Sequence, residues 1–248
     1  MKRVASILLL LPVLASFIFL SACSVPRGDR HTAGTTAVVG GVVLFDAQNP
    51  LSEWQPLKFP RRGETEYRIA SIDGQIGIRA TGQVSASGLY QWVEVNPLQC
   101  PILEWTWRVE KLQPSANLYN KEREDVAASL FLAFGDPGFI TAPNPVPTLR
   151  YVWTNERVPV ETVVNNPYLP DTVRSIVVQS GTHNLGTWVT ERRNLLKDFK
   201  RAFGSLPKDT IQRIALFTDN DQTEEPVVAY YGWARVICTP EKETVASG

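Results

Sequence analysis

Two acidic segments are the first places in this sequence that could carry chemistry. Asp219-Asn220-Asp221 follows an apolar run and sets two carboxylates close together in a turn. Ca²⁺ prefers oxygen ligands of this kind, so Asp219 and Asp221 are candidate ligands for a bound Ca²⁺. The segment lacks the glycine and terminal glutamate of an EF-hand loop, and a solvated turn between two strands is the competing interpretation. We expect no other cofactor, because zinc-type Cys/His spacing and a Gly-rich phosphate loop are both missing from the sequence.

The second acidic segment contains Glu122, Glu124 and Asp125 and also precedes an apolar run. Two carboxylates held about 5 to 10 Å apart can act as general acid and base on a glycosidic bond. Spacing in the sequence does not show that carboxylates meet, so a hydrolase or lyase that uses such a pair, or a Tyr base, stays an alternative.

Histidine chemistry is disfavoured, because His183 stands without a Gly-x-Ser-x-Gly motif to supply a nucleophile. We therefore favour a protein that binds a ligand without catalysing a reaction.

Aromatic residues indicate what that ligand could be. Tyr151, Trp153 and Asn155 alternate on one side of a predicted strand, and a ring beside an amide suits the apolar face and hydroxyls of a sugar. For each single ring, core packing is the competing interpretation. The predicted ligand-binding residues are Asp125, Tyr151, Trp153, Asn155, Asp219 and Tyr231. The expected partner is a glycan. A structural protein of the cell envelope that binds another protein is the remaining alternative.

The N-terminus predicts export and a lipid anchor. Lys2 and Arg3 precede a long apolar run that ends in Leu20-Ser21-Ala22-Cys23, which resembles a bacterial lipoprotein signal. Residues 1–22 are then removed, and acylated Cys23 holds the protein at a membrane. We expect a periplasm-facing position in the bacterial cell envelope, at the outer membrane because Ser24 is not the Asp that favours inner-membrane retention.

Composition divides the rest of the chain. Residues 23–41 are rich in Gly, Ser and Thr and predict a flexible tether, residues 42–240 a β-sandwich domain, and residues 241–248 a disordered tail. Basic and acidic residues number 25 each, so nothing indicates a nucleic-acid partner.

In an exported protein Cys100 and Cys238 have one intramolecular pairing, and we predict a disulfide, with two separate buried thiols as the alternative.

Short runs of β-branched and aromatic residues separated by turns predict an all-β fold. Asp73-Gly74 predicts a hairpin, and Asn194 predicts the start of the single short helix, which ends near Gly204. The predicted strands span residues 42–45, 67–72, 75–80, 88–95, 102–109, 126–134, 149–154, 175–179, 211–218 and 227–237.

A set of short motifs resembles the bacterial domain-of-unknown-function family numbered 3047. The resemblance covers roughly residues 45–236, nearly the whole predicted domain. It implies an exported, jelly-roll-like antiparallel β-sandwich similar to carbohydrate-binding modules, and it supplies no catalytic residues. The motifs are Ser87-Gly88-Leu89-Tyr90, Leu103-Glu104-Trp105-Thr106-Trp107-Arg108-Val109, Tyr151-Val152-Trp153, Trp188-Val189-Thr190-Glu191-Arg192-Arg193-Asn194, Asp198-Phe199, Phe203-Gly204, Thr218-Asp219-Asn220-Asp221 and Ala229-Tyr230-Tyr231-Gly232.

Overall fold

A computed structural model describes residues 37–38, 40–139 and 142–239. The described residues belong to one compact unit, residues 31–248. The predicted signal at residues 1–22, the anchor at Cys23 and the tail at residues 241–248 lie outside the described residues. Within the described part of the chain, no helix is long and apolar enough to span a membrane.

Within the described residues most of the regular structure is strand, with one 3₁₀ turn at Leu51–Glu53 and one helix, α1, at Leu195–Phe203. The strands are β1 (Ala37–Val38), β2 (Gly41–Asp46), β3 (Gln55–Lys58), β4 (Glu66–Ile72), β5 (Gln75–Gly82), β6 (Ala86–Val95), β7 (Ile102–Lys111), β8 (Ala128–Phe134), β9 (Gly138–Phe139), β10 (Ala142–Pro143), β11 (Thr148–Thr154), β12 (Val163–Asn165), β13 (Val173–Ser180), β14 (Val189–Asn194), β15 (Ile211–Asp219) and β16 (Val227–Ile237).

Two seven-stranded sheets form the sandwich. In the first sheet β16 is central and pairs with β7 on one side and with β2 and β5 on the other, while β1, β4 and β14 lie at the edges. The second sheet has the order β12-β13-β11-β8-β15-β6-β3, and β9 and β10 form a separate ribbon. The predicted all-β, jelly-roll-like sandwich with one short helix is confirmed.

One pair of strands departs from the antiparallel pattern. Strand β11 runs parallel to β13, whereas its other neighbour, β8, is antiparallel to it. Parallel neighbours need a crossover connection, and the long segment between β11 and β13 supplies it. That segment contains the short β12, which pairs antiparallel with β13 at the edge of the sheet.

The core lies between the two sheets and is rich in indole rings. Trp105 and Trp107 of β7 point inward from the first sheet, where they meet Tyr151 and Trp153 of β11. The ring centroids are 5.0 Å apart for Trp105 and Tyr151 and 5.9 Å apart for Trp107 and Trp153. All four side chains are buried, as period-two alternation requires of residues on the inner faces of a sandwich.

The predicted turn and helix ends are confirmed. Asp73 and Gly74 have φ angles of 50° and 76° and connect β4 to β5, as a primed two-residue turn requires. Asn194 Oδ1 accepts a hydrogen bond from the Lys197 amide at 2.9 Å, which satisfies one of the free N–H groups at the start of α1. Gly204 ends the helix in the left-handed region, at φ 80°.

A disulfide joins Cys100, which follows β6, to Cys238, which follows β16. The bridge therefore ties together segments that are 138 residues apart in the sequence. Cys100 lies two residues before β7 and Cys238 directly follows β16, so the bond joins the ends of two neighbouring strands of the first sheet, where Ile102 pairs with Ile237.

Loss of the disulfide is expected to destabilise the fold strongly. We expect Cys100→Ser/Cys238→Ser to lower the free energy of unfolding by about 2–4 kcal/mol, because the unfolded chain regains the freedom of a long loop. Urea denaturation of the oxidised protein and of the variant measures the difference. A reducing agent should lower the stability of the natural protein by a similar amount and should not change that of the variant. Equal stability of the variant and of the natural protein without reductant would contradict the expectation.

Candidate ligand-binding cleft

A cleft of about 600 Å³ crosses the outward face of the second sheet. Along β8 and β15 alternate residues point to opposite faces, so the inward set packs in the core and the outward set forms the floor of the cleft. The outward residues of these two strands that line the cleft are Phe131, Ala133, Arg213, Ala215, Phe217 and Asp219. The cleft is thus made by the face of the sheet that is turned away from the core.

Aromatic rings cover the middle of the floor and one wall. Phe217 meets Phe131 edge to face at 6.1 Å between centroids, and Phe59 stands over Phe217 at 5.9 Å. Phe59 is 43% exposed, so its ring is available at the rim. Gly88 makes room for this arrangement, since a Cβ there would lie 2.8 Å from the Phe217 ring. Tyr168 and Leu169 form the opposite rim.

Arg150 lies at the bottom of the cleft, on the outward side of β11. It donates to Glu124 Oε1 through Nη1 and to Ser129 Oγ at 3.0 Å through Nε. The guanidinium carbon also lies 5.1 Å from the centre of the Phe131 ring. Glu124 Oε1 accepts a further hydrogen bond from Asn166 Nδ2 at 3.2 Å. A buried charged pair with satisfied hydrogen bonds is therefore part of the cleft.

Three aspartates gather beside this pair at one end of the cleft. One carboxylate oxygen each from Asp125, Asp219 and Asp221 lie within 4.8 Å of one another. Asp219 and Asp221 line the cleft, whereas Asp125 is buried behind them. Among the described residues, these three are the group that could hold a metal ion.

Burial shifts the acidity of this end of the cleft. It raises the pKa of Asp219 well above its ordinary value, against the opposing charge of Arg150, and the negative charges of Glu124 and Asp125 add to the rise. It also raises the pKa of Glu124, again against Arg150. Burial raises the pKa of Asp221 as well, and there Arg62 is the opposing charge. Additional negative charge is therefore unfavourable here, and a positively charged group would be stabilised.

The prediction that Tyr151, Trp153 and Asn155 form a ligand-binding sheet face is wrong. Tyr151 and Trp153 are fully buried in the core, and the Tyr151 hydroxyl donates to Asp198 Oδ2 at 3.0 Å. Asn155 is also buried, and its amide donates to the carbonyls of Gln113 and Ala116. Alternation identified two faces of β11 correctly, but the aromatic face is the core face.

The other predicted ligand residues lie closer to the cleft. Asp219 borders it, and its Oδ1 accepts a hydrogen bond from the Val126 amide at 2.9 Å. Tyr231 is fully buried behind the cleft floor, where its hydroxyl donates to the Phe217 carbonyl at 2.8 Å. Asp125 accepts from the backbone amides of Gln222 and Thr223 and so orders the turn after β15. Tyr231 and Asp125 thus support the site from behind.

The principal cleft residues that sequence reasoning missed are Arg150, Phe131, Phe217 and Phe59. Arg150 carried a signal, because a charged residue in alternation with Leu149 and Tyr151 marks the outward face of a buried strand. Phe131 and Phe217 lie between inward residues and look like core in the sequence. Phe59 comes from a short connecting segment whose position only the fold defines.

The chain belongs to the family described as protein of unknown function (DUF3047), whose model matches residues 52–234. The match begins after β1 and β2 of the first sheet, ends within β16, and includes all the residues that line the cleft. None of the curated proteins matches this chain.

Solved structures that resemble the chain include carbohydrate-binding modules and glycoside hydrolases. The family 11 carbohydrate-binding module of the cellulosomal cellulase Lic26A-Cel5E of Clostridium thermocellum is 10% identical, with 84% of this chain and 99% of the module covered and a TM-score of 0.44. The xyloglucanase domain of NopAA from Sinorhizobium fredii, solved with cellobiose, is 8% identical, with 83% of this chain and 97% of that chain covered and a TM-score of 0.42.

Proposed function

We propose that the protein binds a glycan of the cell envelope in the cleft on the outward face of the second sheet and does not cleave it. The observation that carries the proposal is the composition of this cleft. Phe59, Phe131 and Phe217 offer apolar ring surface, and Arg150 and Asp219 offer polar groups at one end. A sugar ring presents C–H faces and hydroxyls together, and sites of this mixed kind bind such ligands.

The anchor belongs to the same proposal. Acylation of Cys23 would hold the domain at the outer membrane with the periplasm around it, where envelope polysaccharides are within reach. A chain with Cys23→Ala should appear in the soluble periplasmic fraction if this anchor is correct.

A polysaccharide-cleaving enzyme is the second candidate, and one observation favours it. Glu124 and Asp219 both border the cleft, and burial raises the pKa of both carboxyls. A carboxyl with a raised pKa is suited to donate a proton to a glycosidic oxygen. Against this role, Glu124 is already engaged by Arg150 and Asn166.

A glycan-array screen of the full chain in detergent tests the proposed function, with each positive glycan followed for release of reducing ends. We expect saturable binding without cleavage. Cleavage of a bound glycan would favour the enzyme, and a screen with no positive glycan would contradict glycan binding.

Removal of the rim ring is expected to weaken binding. Phe59→Ala should raise the Kd of a positive glycan roughly 3- to 10-fold, because an aromatic contact contributes about 0.5–1.5 kcal/mol. Phe59 is partly exposed, so the variant should keep its fold. Ile69→Ala is the matched control, since Ile69 is 40% exposed but lies on β4 of the first sheet. Equal affinities for Phe59→Ala and the natural protein would place the ligand elsewhere.

A further inference from the structure

We infer that the ligand of the cleft is a glycolipid, whose alkyl or acyl chain occupies the apolar middle of the cleft while its sugar lies at the polar end. The inference rests on the proposed function and narrows the class of glycan. Three observations carry it: the apolar middle of the cleft, the hydrogen bonds that already engage its polar end, and the negative charge of that end.

Side chains in the middle of the cleft offer apolar surface. They are aromatic rings, aliphatic groups and a proline, namely Leu57, Phe59, Pro60, Phe131, Ala215 and Phe217. A sugar could stack on one of these rings, but its hydroxyls would find no partner among these side chains, and burial of an unpaired hydroxyl is unfavourable. Methylene groups leave nothing unpaired and gain free energy when they leave water. The middle of the cleft is therefore complementary to a hydrocarbon chain.

The polar groups at the end of the cleft are engaged with one another. Arg150 donates to Glu124 and to Ser129. Asn166 Nδ2 donates to the same oxygen of Glu124 at 3.2 Å. Gln222 Oε1 is buried and accepts no hydrogen bond within the described part of the chain. This end thus offers an acceptor to an O–H group of one sugar, whereas Arg150 and Asn166 are directed at Glu124.

The charge of the polar end determines which head group it accepts. The guanidinium groups of Arg62 and Arg150 are paired there with carboxylates. The carboxyl groups of this end outnumber them and are those of Glu124, Asp125, Asp219 and Asp221. A carboxylate or a phosphate would add negative charge beside these carboxyl groups and would be disfavoured. The head group is therefore an uncharged sugar, and a free fatty acid or an anionic phospholipid fits the cleft poorly.

Arg213 lines the opposite end of the cleft, at the other end of the strand that carries Asp219. Its guanidinium carbon lies 4.4 Å from the centre of the Tyr90 ring and 4.2 Å from that of the Trp92 ring. Its Nη2 donates to the Gly138 carbonyl at 2.6 Å. An anionic amphiphile would therefore have to bind in the reverse orientation, with its head beside a cation that two rings and a carbonyl already engage.

Alkyl glucosides of increasing chain length test the inference on the full chain in phospholipid nanodiscs, with empty nanodiscs as the blank for partition into lipid. Isothermal titration with methyl, butyl, hexyl and octyl β-D-glucoside, each below the concentration at which it forms micelles, gives the Kd of each. We expect the Kd to fall roughly 3- to 4-fold for each added methylene, because each one is buried from water. Octanoate has a similar chain and a carboxylate head, and it should bind at least about 10-fold more weakly than octyl glucoside.

Two variants locate the hydrocarbon chain. Ala215→Phe places a ring in the middle of the cleft floor and should raise the Kd of octyl glucoside about 10-fold or more, with little change for methyl glucoside. Ser71→Phe is the matched control, because it adds the same ring at an exposed position of β4 in the first sheet. If Ala215→Phe does not fold, Phe59→Ala keeps the test decisive, since it should weaken binding of octyl glucoside more than that of methyl glucoside.

Three results would overturn the inference. They are a Kd that does not fall with chain length or no binding by any glucoside, binding of octanoate as tight as that of octyl glucoside, and equal affinities of the folded cleft variants and the natural protein. A glycan array with positive glycans beside a flat alkyl series would leave the proposed function standing and would remove the glycolipid alone.

Discussion

Replacement of Arg150 by Met should cost about 3–5 kcal/mol of unfolding free energy near pH 8, the largest effect expected from one residue of the cleft. Arg150 is 2% exposed, and its partner Glu124 is buried with it. Met keeps the volume of the aliphatic stem but leaves the Glu124 carboxylate buried without its cation. Asp125 and Asp219 are close enough to add their own repulsion.

This loss should depend on pH in a defined direction. Without Arg150 the pKa of Glu124 in the folded state rises further above its unfolded value, so the folded protein holds the proton more tightly. A raised carboxyl pKa lowers stability as pH increases through the interval between the two values. The penalty should therefore be complete at pH 8 and smaller at pH 5.

Two further variants isolate the cause. Arg150→Met/Glu124→Gln removes the unpaired charge and should recover much of the lost stability in urea denaturation. Arg68→Met removes an exposed arginine of β4 and should change stability by less than about 0.5 kcal/mol. If the single and double variants were equally unstable at pH 8, the loss would come from packing, and the buried charge would not be its cause.

The second large effect concerns a residue in the core. Trp153→Ala should lower the free energy of unfolding by about 3–5 kcal/mol, because a fully buried indole is removed and the cavity collapses only in part. The lost contacts include the Trp107 ring, 5.9 Å away between centroids. Urea denaturation of the variant beside Phe59→Ala measures the contrast, since the exposed Phe59 should cost far less.

The same pair of variants separates two positions for the ligand. An indole on an exposed sugar-binding face would be lost at little cost in stability, with a direct loss of affinity. The fold places Trp153 in the core, so a Trp153→Ala chain with natural stability would contradict the architecture described for β11.

Much of the fold could be predicted because local patterns decide it. The inward stripe of β7, with Trp105 and Trp107, alternates with polar residues along the strand, and the Asp73-Gly74 turn requires positive φ angles that few other residue pairs adopt. Strands β3, β12 and β14 were missed for physical reasons. Gln55–Lys58 contains a proline and is short, Val163–Asn165 is three residues long, and Val189–Asn194 is a charged edge strand.

The start of the domain also differs from the composition boundary. Ala37–Val38 pairs with Gly41 and Val42, so strand pairing begins inside the segment predicted as a tether. Small residues such as Gly41 suggested flexibility in the sequence. In the fold Gly41 instead allows close approach, since a Cβ there would lie 2.6 Å from the Val236 carbonyl oxygen.

The cleft could be predicted only in part, because it depends on which face of the second sheet is covered. Aromatic residues occur on both faces of that sheet, and the sequence alone does not distinguish Trp153 in the core from Phe131 in the cleft. The acidic end of the cleft could be predicted from the sequence, because Asp125 and Asp219 lie at the ends of predicted strands. Their approach across 94 residues of sequence is a property of the antiparallel pairing of β8 and β15.

Hydrogen–deuterium exchange of the full chain, with and without a saturating glycan from the array screen, shows whether the ligand lies in the cleft. We expect slower exchange in the residues that surround the cleft, above all residues 55–62 and the turn after β15, with the first sheet unchanged. Protection confined to the first sheet, or to the edge that holds β4 and β14, would contradict the assignment of the cleft as the ligand site.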